Sequence, residues 1–248
     1  MSQTYPVILT PAADALSLPP VGGSRRGAVR PNANGSKSKT HGQSELIAFA
    51  RFFKYSCGEI REDACVKIGG HNYEPDFAYI DEEHGVFIDI EVDEPYSASG
   101  HPTHFLLPDG TNKDSARNER FRQAGWYVIR FSEEQIFCHT AECLREIYRI
   151  ALAASAIDAL PAALTSPQSG GQRGASDLQP HPRWTKDDSY AMKHRHYRKT
   201  YLGYDPTHMG FQGYLRCARL ILPVMWQSLF HSHVRHEMCR QLFRFFVK

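Results

Sequence analysis

Apolar and polar residues alternate without a break from Val86 to Asp93. Val86, Ile88, Ile90 and Val92 fall on one face of an extended chain, and Phe87, Asp89, Glu91 and Asp93 on the other. The spacing predicts a half-buried strand bearing a row of carboxylates. The run before it, residues 74–80, carries β-favouring aromatics behind a proline, and polar residues 81–85 supply a turn. An antiparallel hairpin is therefore expected. If Ile80 lies opposite Phe87, Asp76 lies opposite Glu91, with side-chain origins about 5 Å apart.

The flanking pattern completes an α/β class: a mixed β-sheet with flanking helices. Residues 44–55 have a capping Ser44, Glu45 in the first turn and apolar residues at helical spacing. A short strand over 64–68 carries Lys67 and ends at Gly69-Gly70. After Asp93 comes a long loop, 94–112, with His101 and His104. A loop of that length leaving a carboxylate strand suits function better than filler. Residues 113–125 read as a helix stopped by Gly125, with Arg117, Arg120 and Arg122 giving it a cationic side. A strand over 126–131 follows, so the strand, helix and strand imply a right-handed parallel or mixed unit. Residues 132–157 are largely helical, with Leu144, Ile147, Ile150 and Ala151 covering a sheet face.

The ends look different. Residues 1–43 are rich in Pro, Gly, Ser and Asn without periodicity and read as a disordered basic arm. Residues 44–157 form the expected folded domain, 158–183 a Pro/Gly-rich linker, and 184–248 a basic helical extension, with helices over 184–201, 211–229 (kinked at Pro223) and 231–248.

Charge sharpens this division. The net charge of the 248 residues is +2, yet residues 44–157 hold 20 acidic against 11 basic residues, while residues 193–248 hold 10 basic against 2 acidic and six histidines besides. An acidic centre between basic ends suits a metal site with phosphate-binding arms. Six cysteines form no Cys-x-x-Cys pair, and polar residues interrupt the N-terminal apolar positions, so a cytoplasmic protein with reduced thiols is expected. Residues 211–230 are apolar, but Arg216, Arg219, Pro223 and Gln227 argue against a membrane span. His231, His233, His236 and Cys239 match no four-ligand zinc spacing, and a cationic helix is the simpler account.

The hairpin carries the chemistry. Two carboxylates at about 5 Å repel unless a cation lies between them. Hard oxygen ligands suit Mg²⁺ or Mn²⁺, and Mg²⁺ uses only one or two protein carboxylates, leaving room for water and phosphate oxygens. The competing account is a solvated sheet face. Against it, Asp and Glu are disfavoured in strands, and here three repeat on one face.

Four motifs in order, Tyr73-x-Pro75-Asp76-Phe77, Ile90-Glu91-Val92-Asp93, Lys113-Asp114-x-x-Arg117 and Gly125-Trp126-Tyr127-Val128-Ile129-Arg130-Phe131, resemble the PD-(D/E)xK restriction-endonuclease-like superfamily, closest to its very-short-patch-repair-like branch. The resemblance covers residues 44–150. It implies Mg²⁺-dependent cleavage of a DNA phosphodiester, with Asp76 and Glu91 as metal ligands and Glu45 as the acid such enzymes often place on the first helix. The position two after Glu91, commonly Lys, is Asp93 here, as a second ligand or a residue orienting water. The water-activating role then passes to Lys67, Lys113, His101 or His104. Arg117, Arg120 and Lys113 are candidate phosphate contacts, with DNA as the partner, and a homodimer or larger DNA-processing complex is compatible. The alternative is a nuclease-like fold that no longer cuts and serves as a nucleic-acid-binding or protein-interaction module.

Overall fold

The computed structural model describes residues 4–12, 28–32, 60–62, 64–154, 157–160, 164 and 178–208. The strands are β1 (Thr4–Tyr5), β2 (Val7–Leu9), β3 (Ile60–Arg61), β4 (Val66–Ile68), β5 (His71–Tyr73), β6 (Phe77–Asp81), β7 (Val86–Asp93), β8 (Tyr127–Ser132) and β9 (His181–Pro182). The helices are α1 (Ser115–Gln123), α2 (Glu133–Cys138), α3 (Thr140–Ala153), α4 (Lys186–His194) and α5 (Tyr197–Leu202). The expected helix over 44–55, with Glu45, lies outside the described residues, as do both helices expected after residue 208.

A mixed five-stranded sheet in the order β2-β8-β7-β6-β3 forms the centre. β6 and β7 pair antiparallel with Ile80 opposite Phe87, the register the hairpin predicts. β8 lies parallel to β7 and is reached through α1. Helices cover both faces. Val86, Ile88, Ile90 and Val92 join Phe77, Tyr79, Ile129 and Phe131 beneath α2 and α3, whose Ile136, Phe137, Leu144, Ile147 and Ala151 complete that core. On the other face Ala78, Ile80, Phe87 and Val128 meet Phe121 of α1, Trp126 and Val66. Gly125 ends α1 at φ 84°, and a Cβ there would meet the Ala28 backbone at 2.8 Å, so the close approach admits only glycine. Between α2 and α3 the helical run breaks at His139, and α2 begins on a capping box between Ser132 and Gln135.

Three expectations need correction. β7 is buried along all eight residues, not half of them. Alternation marks two unlike faces, but here ion pairs rather than water cover the polar one. Residues 4–12 and 28–32 are also built into the fold, contrary to a wholly disordered arm. β2 forms an edge of the main sheet against β8, Tyr5 and Val7 are buried, and the Trp126 indole donates to the Val29 carbonyl at 2.7 Å. Strands of two and three residues are too short to show a period. Finally, the boundaries at 158 and 184 do not separate bodies: β9 pairs with β1, and Leu178, Leu202 and Tyr204 lie in the same core as β7. The basic helix expected over 184–201 is α4 and α5, broken at His196, which takes a left-handed φ of 50°.

Candidate functional site

The face of β7 turned to α1 presents Asp89, Glu91 and Asp93 in a row. Continuing the β6–β7 register one step past the Phe77–Ile90 pair places Asp76 beside Glu91. Two hydrogen bonds hold them there: the Val92 amide donates to Asp76 Oδ2 at 2.8 Å, and the Asp76 amide donates to Glu91 Oε1 at 3.3 Å.

Two guanidiniums enter the row. Arg117 of α1 donates to both oxygens of Asp89, at 2.6 and 3.0 Å, and to Glu91 Oε1 at 2.6 Å. Arg130 stands beside Glu91 in the parallel β7–β8 register, and it grips Asp93 through Nε at 3.0 Å and Nη2 at 2.5 Å. Its Nη1 donates to Asn118 at 3.0 Å, and its Nη2 lies 3.4 Å from Asp114 and 3.7 Å from Glu91 Oε2. Tyr5 reaches from the N-terminal strand to donate its hydroxyl to Asp93 Oδ2 at 3.0 Å. His104 completes the cluster, with Nδ1 2.9 Å from Asp114 and 3.2 Å from Asp93.

Among the described residues, six carboxylates (Asp76, Asp89, Glu91, Asp93, Glu94, Asp114) thus lie with two guanidiniums and one imidazole, so acidic groups outnumber cationic ones. The titration behaviour follows from this crowding. Burial, with Asp89 and Asp93 adding to it against the two arginines, pushes Glu91 up to about 7. Burial acts to lower His104, but Asp93, Asp114 and Glu94 outweigh it and raise the imidazole to about 9. Burial would raise Asp93, yet Arg130 and His104 hold it below the usual carboxylate range. The same pair outweighs burial at Asp114 and lowers it too.

The other expected site residues are distributed unevenly. Lys67 is exposed on β4, paired with Asn72 on the outer side of a small two-stranded sheet whose Val66 faces the core. His101 is exposed and bound into a turn with Ser97. Lys113 is exposed and reaches the network through its charge on Asp114. Arg120 is exposed and donates to the Tyr73 hydroxyl at the rim, while Arg117 is turned onto the acids. His104, charged near neutrality, is not poised to accept a proton from water.

Arg130, Tyr5, Asp114 and Asn118 were not singled out from sequence as site residues. Arg130 left a signal, a charged residue at the alternate position of a strand whose other members are apolar. Tyr5 left none.

Comparison of the chain with protein-family models, curated proteins and solved structures returns no match. Among the described residues no three His, Cys, Asp or Glu side chains form a ready metal cage, and no helix is long and apolar enough to cross a membrane. Asp76 and Glu91 nevertheless fit a hard divalent ion. They are adjacent oxygen donors, and Mg²⁺ commonly takes one or two protein carboxylates and keeps its waters.

Proposed function

We propose that the chain is a Mg²⁺- or Mn²⁺-dependent endodeoxyribonuclease of the restriction-endonuclease-like kind, acting on DNA in the cytoplasm. The observation that carries this reading is the convergence of Asp76 and Glu91 across the β6–β7 register, within a cluster whose carboxylates outnumber its cations among the described residues. A divalent ion bound by these two residues supplies Lewis acidity toward a phosphoryl oxygen and lowers the pKa of a water.

The remaining parts follow from the chain's own side chains. Arg130, at 1 % exposure, holds Asp93 in place and cannot reach a substrate. Arg117, more open at 18 %, is turned onto Asp89 and Glu91 beside the proposed ion. Lys113 just before α1 and Arg120 on it are exposed cations suited to phosphate contacts. His104 keeps Asp93 and Asp114 ionised.

Supercoiled plasmid incubated with the protein and Mg²⁺ or Mn²⁺ should be nicked or linearised, and Asp76→Ala and Glu91→Ala should each remove that activity. Variants that cut as well as the parent overturn the reading. One observation favours a second reading, a nuclease-like binding module that does not cut: Asp93 stands where the resemblance places Lys, and both its oxygens are committed to Arg130. That module would bind DNA in chelator, with a steep salt dependence and no product.

A further inference from the structure

We infer that, among the described residues, Arg117 is the counter-cation resident on Glu91 and sets the affinity of the Asp76–Glu91 pair for a divalent ion, releasing Glu91 when the ion arrives. The inference rests on the metal-site reading above and adds a specific residue to it.

The geometry distinguishes Arg117 from the other cations. Its guanidinium makes three hydrogen bonds to the row, two to Asp89 and one to Glu91, and Nη2 is shared between the two acids. Asp89 is fully buried and gives the guanidinium a bidentate anchor. Phe121 of the same helix lies beneath it, 4.5 Å from ring centroid to Cζ. Letting go of Glu91 therefore costs one bond of three and leaves Asp89 paired. Arg130 has no such freedom. Asp93 and Asn118 lock it, and it comes no closer than 3.7 Å to Glu91. His104 faces Asp93, Asp114 and Glu94 rather than the Asp76–Glu91 pair.

Arg117 thus sits on Glu91 Oε1, an oxygen of the very carboxylate a cation would use. An ion binding there meets a like charge at hydrogen-bond range from its own ligand, so the guanidinium must withdraw or the ion is bound weakly. Were Arg117 only a brace that holds Glu91 in position, its removal would have the opposite effect, because a loosened ligand binds less well.

The test is Mn²⁺ binding to the full chain without DNA, followed by loss of the free-ion electron paramagnetic resonance signal, with folding checked by circular dichroism. Arg117→Gln should tighten binding by about tenfold through loss of a neighbouring positive charge. Arg117→Lys, a point donor that cannot grip both acids, should tighten it by about threefold, and it serves alone if the Gln variant does not fold. Arg122→Gln, which removes a charge elsewhere on α1, should leave affinity within about twofold.

Unchanged or weaker binding in the folded Arg117 variants, or an equal gain in Arg122→Gln, overturns the inference and leaves the metal site standing. Absence of Mn²⁺ binding by parent and variants alike overturns both.

Discussion

Arginine is buried against carboxylate on both the α2–α5 side and the α1 side of the sheet, and the two sides differ in charge balance. On the α2–α5 side, Arg198 and Glu133 form a bidentate pair at 2.7 and 2.6 Å, closed by the Tyr201 hydroxyl on Glu133 and by the Tyr96 carbonyl on Arg198. One cation meets one anion, each of their remaining polar groups has a partner, and the pair ties the loop after β7 to the last described helix. On the α1 side, among the described residues, six carboxylates share three cations. A balanced buried pair can be accounted for by specificity of folding alone. On the proposed reading a bound cation offsets the electrostatic cost of the unbalanced cluster, which makes the first a brace and the second a metal site.

The comparison can be broken at several points. The largest effect belongs to the unbalanced cluster: Asp76→Ala should lower plasmid cutting by about 10³-fold or more, measured with Mn²⁺ in excess, while the same change leaves the Arg198–Glu133 pair intact. Arg198→Met should do the reverse. Leaving Glu133 buried without its partner should cost about 3–5 kcal/mol in denaturant unfolding, with Mn²⁺ affinity unchanged. If Arg198→Met alters metal affinity as much as stability, the two clusters are not independent.

Titration sharpens the contrast. The folded His104 pKa, about 9, exceeds its ordinary 6.5, so its contribution is complete below pH 6.5 and is lost as pH rises through 9. His104→Gln should therefore destabilise by on the order of 3 kcal/mol at pH 6 and by little at pH 9.5. Glu91 is also raised, from 4.5 to about 7, so the fold favours its neutral form and loses stability as pH climbs through that window. Glu91→Gln should stop cutting yet melt no lower than the parent at pH 8 in chelator. The smallest effect is expected at Lys67, exposed on the outer side of β4. Lys67→Ala should change stability by no more than about 0.5 kcal/mol. A large loss of cutting in that variant would return it to the candidates for water activation.

Much of the sheet was legible because its signals are local. The unbroken alternation of β7, the turn at 81–85 and the glycine after α1 each act over a few residues, and the hairpin register brought Asp76 to Glu91 by counting alone. Burial of the acidic row was not legible. A polar face looks the same in sequence whether water or guanidinium covers it, and Arg117 and Arg130 lie 28 and 37 residues from the acids they grip. The N-terminal strands were hidden for a related reason. They are held by partners distant in sequence, β1 on β9, β2 on β8, and Tyr5 on Asp93 at a separation of 88.

That N-terminal edge has a consequence for how the molecule is made. Among the described residues β2 pairs with β8, with Val7 beside Arg130. During synthesis the first strand emerges early and waits, its backbone groups open to any passing chain, until its mate leaves the ribosome. A purification tag fused at Met1 stands near this late-closing seam in sequence, one fused at Lys248 stands far from it, and soluble yield should register the choice.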